Sequence, residues 1–316
     1  MSNLARRVVV AVVGIPVIVM LCMVGGVAFF AFVALLSAVA LYEFYVLAES
    51  KGARPQLVPG ILVGFLLACA FIYRRASLFV VEILNSRGIA LPAPSSTQFL
   101  LILLLLSAVV ILVVELYRDR GSAIVNLSAT VFGWVYISMF FGALIGLREV
   151  FNPGDFPVAR HFDVLGPSVP EEVRNTIDSW GGLTLLSIFA SIWVCDSTAY
   201  FAGRAFGRRL LFKRVSPNKT WEGAIAGFLG AVVAFTVARY IMLPYLSVFH
   251  AIVCGGIIGL FGQLGDLVES LLKRSAGVKD SSALIPGHGG VLDRFDSLLF
   301  VSPLLFLYFE FIVFCV

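Results

Sequence analysis

Apolar residues in this chain run in blocks of about 20, broken by short polar stretches, and do not alternate with polar ones. At ~1.5 Å per residue such a block crosses a ~30 Å hydrocarbon core as a helix. The first run, 8–47, is twice that length and too long for a cleaved leader. Gly25-Gly26 is its natural turning point, giving spans at 8–24 and 27–47. Further spans are predicted at 57–73, 99–117, 127–147, 181–202, 224–249, 251–272 and 298–316, about nine in all. The run 224–272 is expected to turn near His250, and the short apolar segment 76–85 reads as an interfacial helix.

Composition narrows the class. Of 316 residues, 60% are hydrophobic and 13% charged, with mean hydropathy +0.99. A soluble domain is roughly half apolar and a quarter charged. A cytosolic enzyme, a disordered chain and a secreted disulfide scaffold are excluded. The expected fold is an all-α polytopic membrane protein, because the apolar runs have helical length and lack the alternation of barrel strands. Cys22, Cys69, Cys195, Cys254 and Cys315 all fall in apolar stretches without paired spacing and read as buried small hydrophobes.

Net charge is +4, and its distribution sets an orientation. With the N-terminus cytoplasmic, the loop 203–223 carries Arg204, Arg208, Arg209, Lys213, Arg214 and Lys219 on the inside against Glu222. The long loop 148–180 then lies outside with Glu149, Asp155, Asp163, Glu171, Glu172 and Asp178. Arg74, Arg75 and Arg87 run against the trend. The balance places the C-terminus outside. Three regions follow: N-terminal transmembrane helices over 1–150, an extracytoplasmic loop over 151–180 and a C-terminal catalytic membrane region over 181–316. The short N-terminus, poor in organellar targeting features, suggests a cell inner membrane.

Ionisable groups inside spans cost about 2.5–3.5 kcal/mol each at the helix centre, so they mark function. Glu43 and Glu115 lie near inner ends and read as solvated interfacial acids. Asp196 sits within the span 181–202, and Asp266 and Glu269 in the inner half of 251–272. Gln263, Asp266 and Ser270 share one helix face, which Lys273 continues to the surface. Such a face lines a wet cavity or holds helices together through paired charges.

The following loop reads Lys273-Arg274, Lys279-Asp280, Pro286-Gly287-His288-Gly289-Gly290 and Asp293-Arg294-Phe295-Asp296. Glycines admit close approach of an anion, and basic side chains supply phosphate counter-charge. Carboxylates amid those bases suit a cation bridging to phosphate oxygens, so Asp266, Asp293 and Asp296 are candidate ligands for one or two metals. Helix capping accounts for one of these acids, not for the set. In the loop 203–223, Arg204 and Ser216-Pro217-Asn218-Lys219-Thr220 precede a helix expected to start at Trp221, a second anion-binding candidate. It is not a Walker sequence. His288 is a donor to phosphate, a proton carrier or a plain loop residue. Asp196-Ser197-Thr198 lacks the partners of a covalent serine mechanism.

The stretch Ser270 to Lys273-Arg274, Lys279-Asp280, Ile285-Pro286-Gly287-His288-Gly289-Gly290 and Asp293-Arg294-Phe295-Asp296 resembles the hallmark motif of the phosphatidate cytidylyltransferases (CDP-diacylglycerol synthases). The upstream Asp196-Ser197-Thr198-Ala199-Tyr200, Gly203-Arg204, Gly207 and Ser216 to Gly223 also resemble that family. The resemblance covers the C-terminal 120 or so residues. It implies transfer of the cytidylyl group of CTP to phosphatidate, with Mg²⁺ and an adjacent K⁺ site, in a homodimer of about nine helices per chain. The metal-holding carboxylates match Asp266 and Asp293, with Asp296 and Asp280 as additional ligands or their supports. Lys219, Lys273, Arg274, Lys279 and Arg294 are expected on phosphates, with Arg204, Ser216, Asn218 and Thr220 on substrate. Asp196 and His288 complete the expected catalytic set. Partners are CTP, phosphatidate and membrane lipids, not nucleic acid. The alternatives are an ion or anion transporter and a CTP-dependent lipid kinase.

Overall fold

A computed structural model describes residues 3–87, 94–153, 158–162, 170–282, 284 and 289–314. The described residues form an α-helical bundle with one small hairpin. The elements are α1 (Asn3–Val24), α2 (Gly26–Glu49), α3 (Leu57–Ser86), α4 (Ser96–Leu116), α5 (Ala123–Gly133), α6 (Met139–Glu149), α7 (Val158–His161), α8 (Glu171–Phe206), β1 (Leu210–Phe212), β2 (Ser216–Thr220), α9 (Trp221–Met242), α10 (Val248–Ala276) and α11 (Leu292–Tyr308). A π-helical turn, Trp134–Ser138, joins α5 to α6, and another, Phe309–Val313, extends α11. Among the described residues, eight helices are long and apolar enough to span a bilayer, and the apolar part of α1, Val12–Val24, is shorter.

The turn between α1 and α2 falls where the glycine pair places it. Gly25 and Gly26 adopt φ of 63° and 54°, a region that side chains with a Cβ avoid. The guanidinium of Arg148 occupies the space beside Gly25. Arg148 is fully buried; its Nε donates to Cys22 O at 2.9 Å and its two terminal nitrogens reach Asp178, both at 3.0 Å. One side chain thus satisfies orphan carbonyls at the end of α1 and ties them to α8.

Several expectations are corrected. The segment 76–85 is no separate interfacial helix, because α3 continues unbroken to Ser86. The expected loop 151–180 is largely helical where described: α7 lies within it and α8 begins at Glu171, ten residues early. Glu171 and Glu172 sit in the first turn of α8, where the helix dipole favours acids. Asp155 and Asp163 lie outside the described residues. Arg75, which ran against the charge trend, pairs with Glu149 at 2.8 Å. The break in 224–272 falls at 243–247, and Ser247 caps α10 by accepting from His250 N at 3.2 Å. Cys22, Cys195 and Cys254 are buried free thiols and Cys69 a half-buried one; Cys315 is outside the described residues.

Glycines set the packing that positions the site. A Cβ on Gly223 would stand 2.7 Å from Ala199 O, one on Gly227 3.0 Å from Cys195 O, and one on Gly259 2.8 Å from the Phe228 Cα. Backbones of α8, α9 and α10 therefore approach as small-residue membrane interfaces do. At Gly265 a Cβ would meet Asp296 O at 2.5 Å, which seats α11 against the inner half of α10. Aromatic rings carry the N-terminal helices onto α11: Tyr136 meets Phe300 at 5.9 Å and Phe141 meets Phe295 at 6.0 Å between centroids.

Candidate active site

Two helix ends and the hairpin between them form the first part of the site. Thr220 ends β2 and caps α9, its Oγ1 accepting from Gly223 N at 3.2 Å, so α9 starts at Trp221 as the sequence indicates. Glu222 accepts from the backbone N–H groups of Arg208 and Arg209, at 3.1 and 3.3 Å, which fixes the strand entry. β1 and β2 pair antiparallel, Leu210 opposite Thr220. This fold turns Ser216, Asn218, Lys219 and Thr220 into a cavity of about 740 Å³ that α8 lines with Asp196 and Arg204, and α10 with Gln263 and Asp266. Residues the sequence names from three separated stretches thus share one chamber.

Gln263 braces the back of that chamber, its Nε2 donating to Ala224 O at 3.0 Å and Gly259 O at 2.6 Å. Asp266 faces the hairpin: Lys219 Nζ lies 2.6 Å from its Oδ2, and Ser270 Oγ donates to Oδ1 at 3.4 Å. The charges of Asp196, Asp266 and Asp296 act on one another, and Lys219 is the ammonium that acts on both Asp196 and Asp296. Asp296 belongs to α11, not to a loop, and accepts from Ser297 N at 2.7 Å.

Further along α10, Lys273 holds a second group. Its Nζ lies 2.5 Å from Glu269 Oε2 and 2.6 Å from Asp293 Oδ1. Asp293 opens α11, and its Oδ2 accepts from Ser281 N at 2.8 Å, Ser281 Oγ at 2.9 Å and Gly290 N at 2.8 Å. Gly289, at φ 83°, lets the loop lie against this carboxylate; a Cβ there would stand 2.7 Å from Asp293 Oδ2. Asp293 therefore latches the glycine loop to the start of α11, and Asp266 and Asp293 serve adjacent groups without touching a common side chain. Lys279, Asp280, Arg274 and Arg294 are exposed beyond them, Arg274 donating to Val278 O at 3.1 Å. His288 lies outside the described residues.

Among the described residues, no three Asp, Glu, His or Cys side chains are already gathered around a single point. The donor chemistry nevertheless fits a hard divalent cation: the carboxylates of Asp196 and Asp266 line the cavity, and Asp296 lies close enough for its charge to act on both. Clustered carboxylate oxygens are the ligands that such a cation takes.

Three further buried polar groups come from the N-terminal half: Glu43, Glu115 and Tyr136. Glu43 is not a solvated interfacial acid but 2% exposed. It accepts from Ser281 Oγ (3.0 Å), Ser282 Oγ (2.6 Å), Val291 N (3.0 Å) and Leu292 N (2.9 Å), and so caps α11 from another helix. Its burial inside an apolar span was the available signal. Glu115 is likewise buried, accepting from Gln56 Nε2 and Asn126 Nδ2, each at 2.8 Å, and pairing with Arg118 at 2.8 Å. Tyr136, on the π-helical turn, is 3% exposed with a hydroxyl that has no hydrogen-bond partner among the described residues, and its charged neighbours are Glu269 and Asp296. Such turns recur at functional sites.

A profile of the group described as Cytidylyltransferase family matches residues 5–312. A protein of Bacillus subtilis (strain 168) named phosphatidate cytidylyltransferase is 33% identical over 310 residues, covering 98% of both chains. One of that name from Synechocystis sp. (strain ATCC 27184 / PCC 6803 / Kazusa) is 30% identical over 302 residues, 95% of this chain and 94% of its own. Another, from Haemophilus influenzae (strain ATCC 51907 / DSM 11121 / KW20 / Rd), is 48% identical over 143 residues, 44% of this chain and 49% of its own.

Proposed function

The chain belongs to the cytidylyltransferase family, and on that premise we infer that it is a phosphatidate cytidylyltransferase, a multi-pass membrane enzyme of phospholipid synthesis. It joins the cytidylyl group of CTP to phosphatidate, giving CDP-diacylglycerol and pyrophosphate. The observation that carries this reading is similarity to enzymes of that name over nearly the whole chain.

In the proposed mechanism an oxygen of the lipid phosphate attacks the α-phosphorus of CTP, and the bond from that phosphorus to the pyrophosphate oxygen breaks. The lipid phosphate is itself the nucleophile, so the protein's task is to align two polyanions and neutralise them. Arg204, Ser216, Asn218, Lys219 and Thr220 bind the triphosphate, helped by the N-terminus of α9. Lys273, Arg274, Lys279 and Arg294 meet phosphate at the mouth, and His288 donates to it. Asp196, Asp266, Asp293 and Asp296 would hold Mg²⁺, with Asp280 as an outer carboxylate and K⁺ beside them. When bound, Mg²⁺ would supply positive charge against the phosphates and the leaving pyrophosphate.

Lys219 would turn its ammonium from Asp266 to phosphate, which frees that carboxylate as a ligand. The cavity opens at one end of the bundle, which suits a cytosolic nucleotide and a lipid arriving from the same leaflet. That end carries the Lys/Arg-rich hairpin, which supports a cytoplasmic N-terminus in a bacterial inner membrane. The homodimer rests on the family resemblance. Purified protein given labelled CTP, phosphatidate and Mg²⁺ should yield a labelled lipid and pyrophosphate. Release of CDP with a newly phosphorylated lipid, or flux without chemistry, would overturn the assignment.

A further inference from the structure

The end of the bundle that carries the reaction cavity has a second opening. Ser50 Oγ donates to Ala276 O at 3.4 Å, which sets the turn after α2 beside the C-terminal end of α10. Next to that turn is a cavity of about 680 Å³, formed by the end of α2, the start of α3 and the end of α4. Its walls include Arg54, Gln56, Val58, Val114, Arg118 and Arg120, none of which lines the reaction cavity.

Basic residues at a cytosolic helix end need no ligand by themselves. Gln56 adds a second observation. It is 1% exposed, lines this cavity, and its Oε1 has no hydrogen-bond partner among the described residues. Its orientation is fixed, because Nε2 donates to Ile111 O and to Glu115 Oε2, each at 2.8 Å. A buried acceptor in that state calls for a donor from whatever fills the cavity. The arginines call for an anion. Arg118 is held by Glu115 and by Arg54 O at 3.1 Å, whereas the side chains of Arg54 and Arg120 are exposed and pair with no acid among the described residues. The rim is apolar: Leu57 and Val58 are exposed beside the cavity, as is Leu116 on the adjoining helix end.

We propose that this cavity is a second lipid site, which holds the head group of an anionic glycerophospholipid bearing hydroxyls, of the phosphatidylglycerol kind. Arg54 and Arg120 take the phosphodiester, a head-group hydroxyl donates to Gln56 Oε1, and the acyl chains lie along Leu57, Val58 and the end of α4. Glu115, Asn126 and Thr130 hold the floor: Asn126 Oδ1 accepts from Arg54 N at 2.6 Å and Thr130 Oγ1 from Gln56 N at 2.9 Å.

The test is lipid retention by the purified full-length protein, read by native mass spectrometry with phosphatidylglycerol, phosphatidylmethanol and phosphatidylcholine in equal amounts. Phosphatidylglycerol should be retained over phosphatidylcholine by about tenfold, and the ratio should fall to about one in the R54Q/R120Q variant. Phosphatidylmethanol, with the same charge and no hydroxyl, should fall between them. Both arginines are exposed, so helicity should be unchanged; R120Q alone serves if the double variant fails to fold. Undiminished retention in the variants would overturn the site. Displacement of the lipid by glycerol phosphate would overturn it in favour of a soluble phosphate ligand. Equal retention of phosphatidylmethanol would overturn the assignment of the head group.

Discussion

Lys219 Nζ stands 2.6 Å from Asp266 Oδ2, so a residue of the hairpin and a residue of α10 close the same cavity from opposite walls. In the proposed mechanism that pair opens when substrate and cation arrive. Asp266→Asn should lower turnover by on the order of 100-fold or more and raise the Mg²⁺ concentration needed for half-maximal rate. Steady-state assays in detergent micelles across a Mg²⁺ series check both. Near wild-type turnover would remove Asp266 from the metal site.

Lys219→Ala separates the two roles of the lysine. It should raise KM for CTP or lower kcat, together about tenfold or more in kcat/KM, through loss of a charge-assisted phosphate contact. The folded state should survive, because both partners are partly exposed. Unchanged kinetics would show that Lys219 serves Asp266 alone.

Chelation tests the cation directly. EDTA should abolish formation of CDP-lipid, and added Mg²⁺ should restore it. Activity that persists through exhaustive chelation would count against the carboxylate assignment as a whole.

Glu43→Gln replaces an acceptor of four hydrogen bonds with a group that carries its own donors. At least one buried N–H or O–H loses its partner, at a cost of about 1–3 kcal/mol. Thermal unfolding in detergent should shift down by several degrees, and turnover should fall because the loop before α11 is no longer held. Unaltered stability with intact activity would mean that the loop is fixed by Asp293 alone.

Tyr136→Phe removes one oxygen from a packed aromatic site. The ring contacts to Phe140 and Phe300 remain, so thermal stability should change little. As a donor to Glu269 or Asp296 during the reaction the hydroxyl counts in turnover, so kcat should fall about tenfold with KM for CTP unchanged. Equal loss of stability and activity would assign it to packing.

Much of this was legible in the residues. The span pattern, the Gly25-Gly26 turn and the start of α9 at Trp221 follow from local chemistry, and local chemistry is visible in one chain. Asp196 and Asp266 stood out because charge inside apolar helices is costly, and Lys219 because it sits in a polar cluster at a helix start. What was hidden depends on distant partners. Glu43 looked solvated because its partners lie 238 to 249 residues away in sequence, and Glu115 because Gln56 and Asn126, which bury it along with the nearby Arg118, lie 59 and 11 residues away. The early start of α8 was masked because Glu171 and Glu172 read as loop acids, whereas a helix N-terminus favours such charges. The division of labour between Asp266 and Asp293 depends on the antiparallel pairing of α10 with α11, which spacing along one strand of sequence does not reveal.

The reach of Glu43 has a consequence for biogenesis. Its carboxylate belongs to α2, and Leu292, whose N–H it receives, lies 249 residues later at the start of α11. The contacts of Ser281, Ser282, Val291 and Leu292 with Glu43 cannot form until α11 has entered the bilayer. A nascent chain stalled before α11 should therefore be inserted yet inert, and the cell is spared a half-built enzyme that consumes nucleotide during its own synthesis.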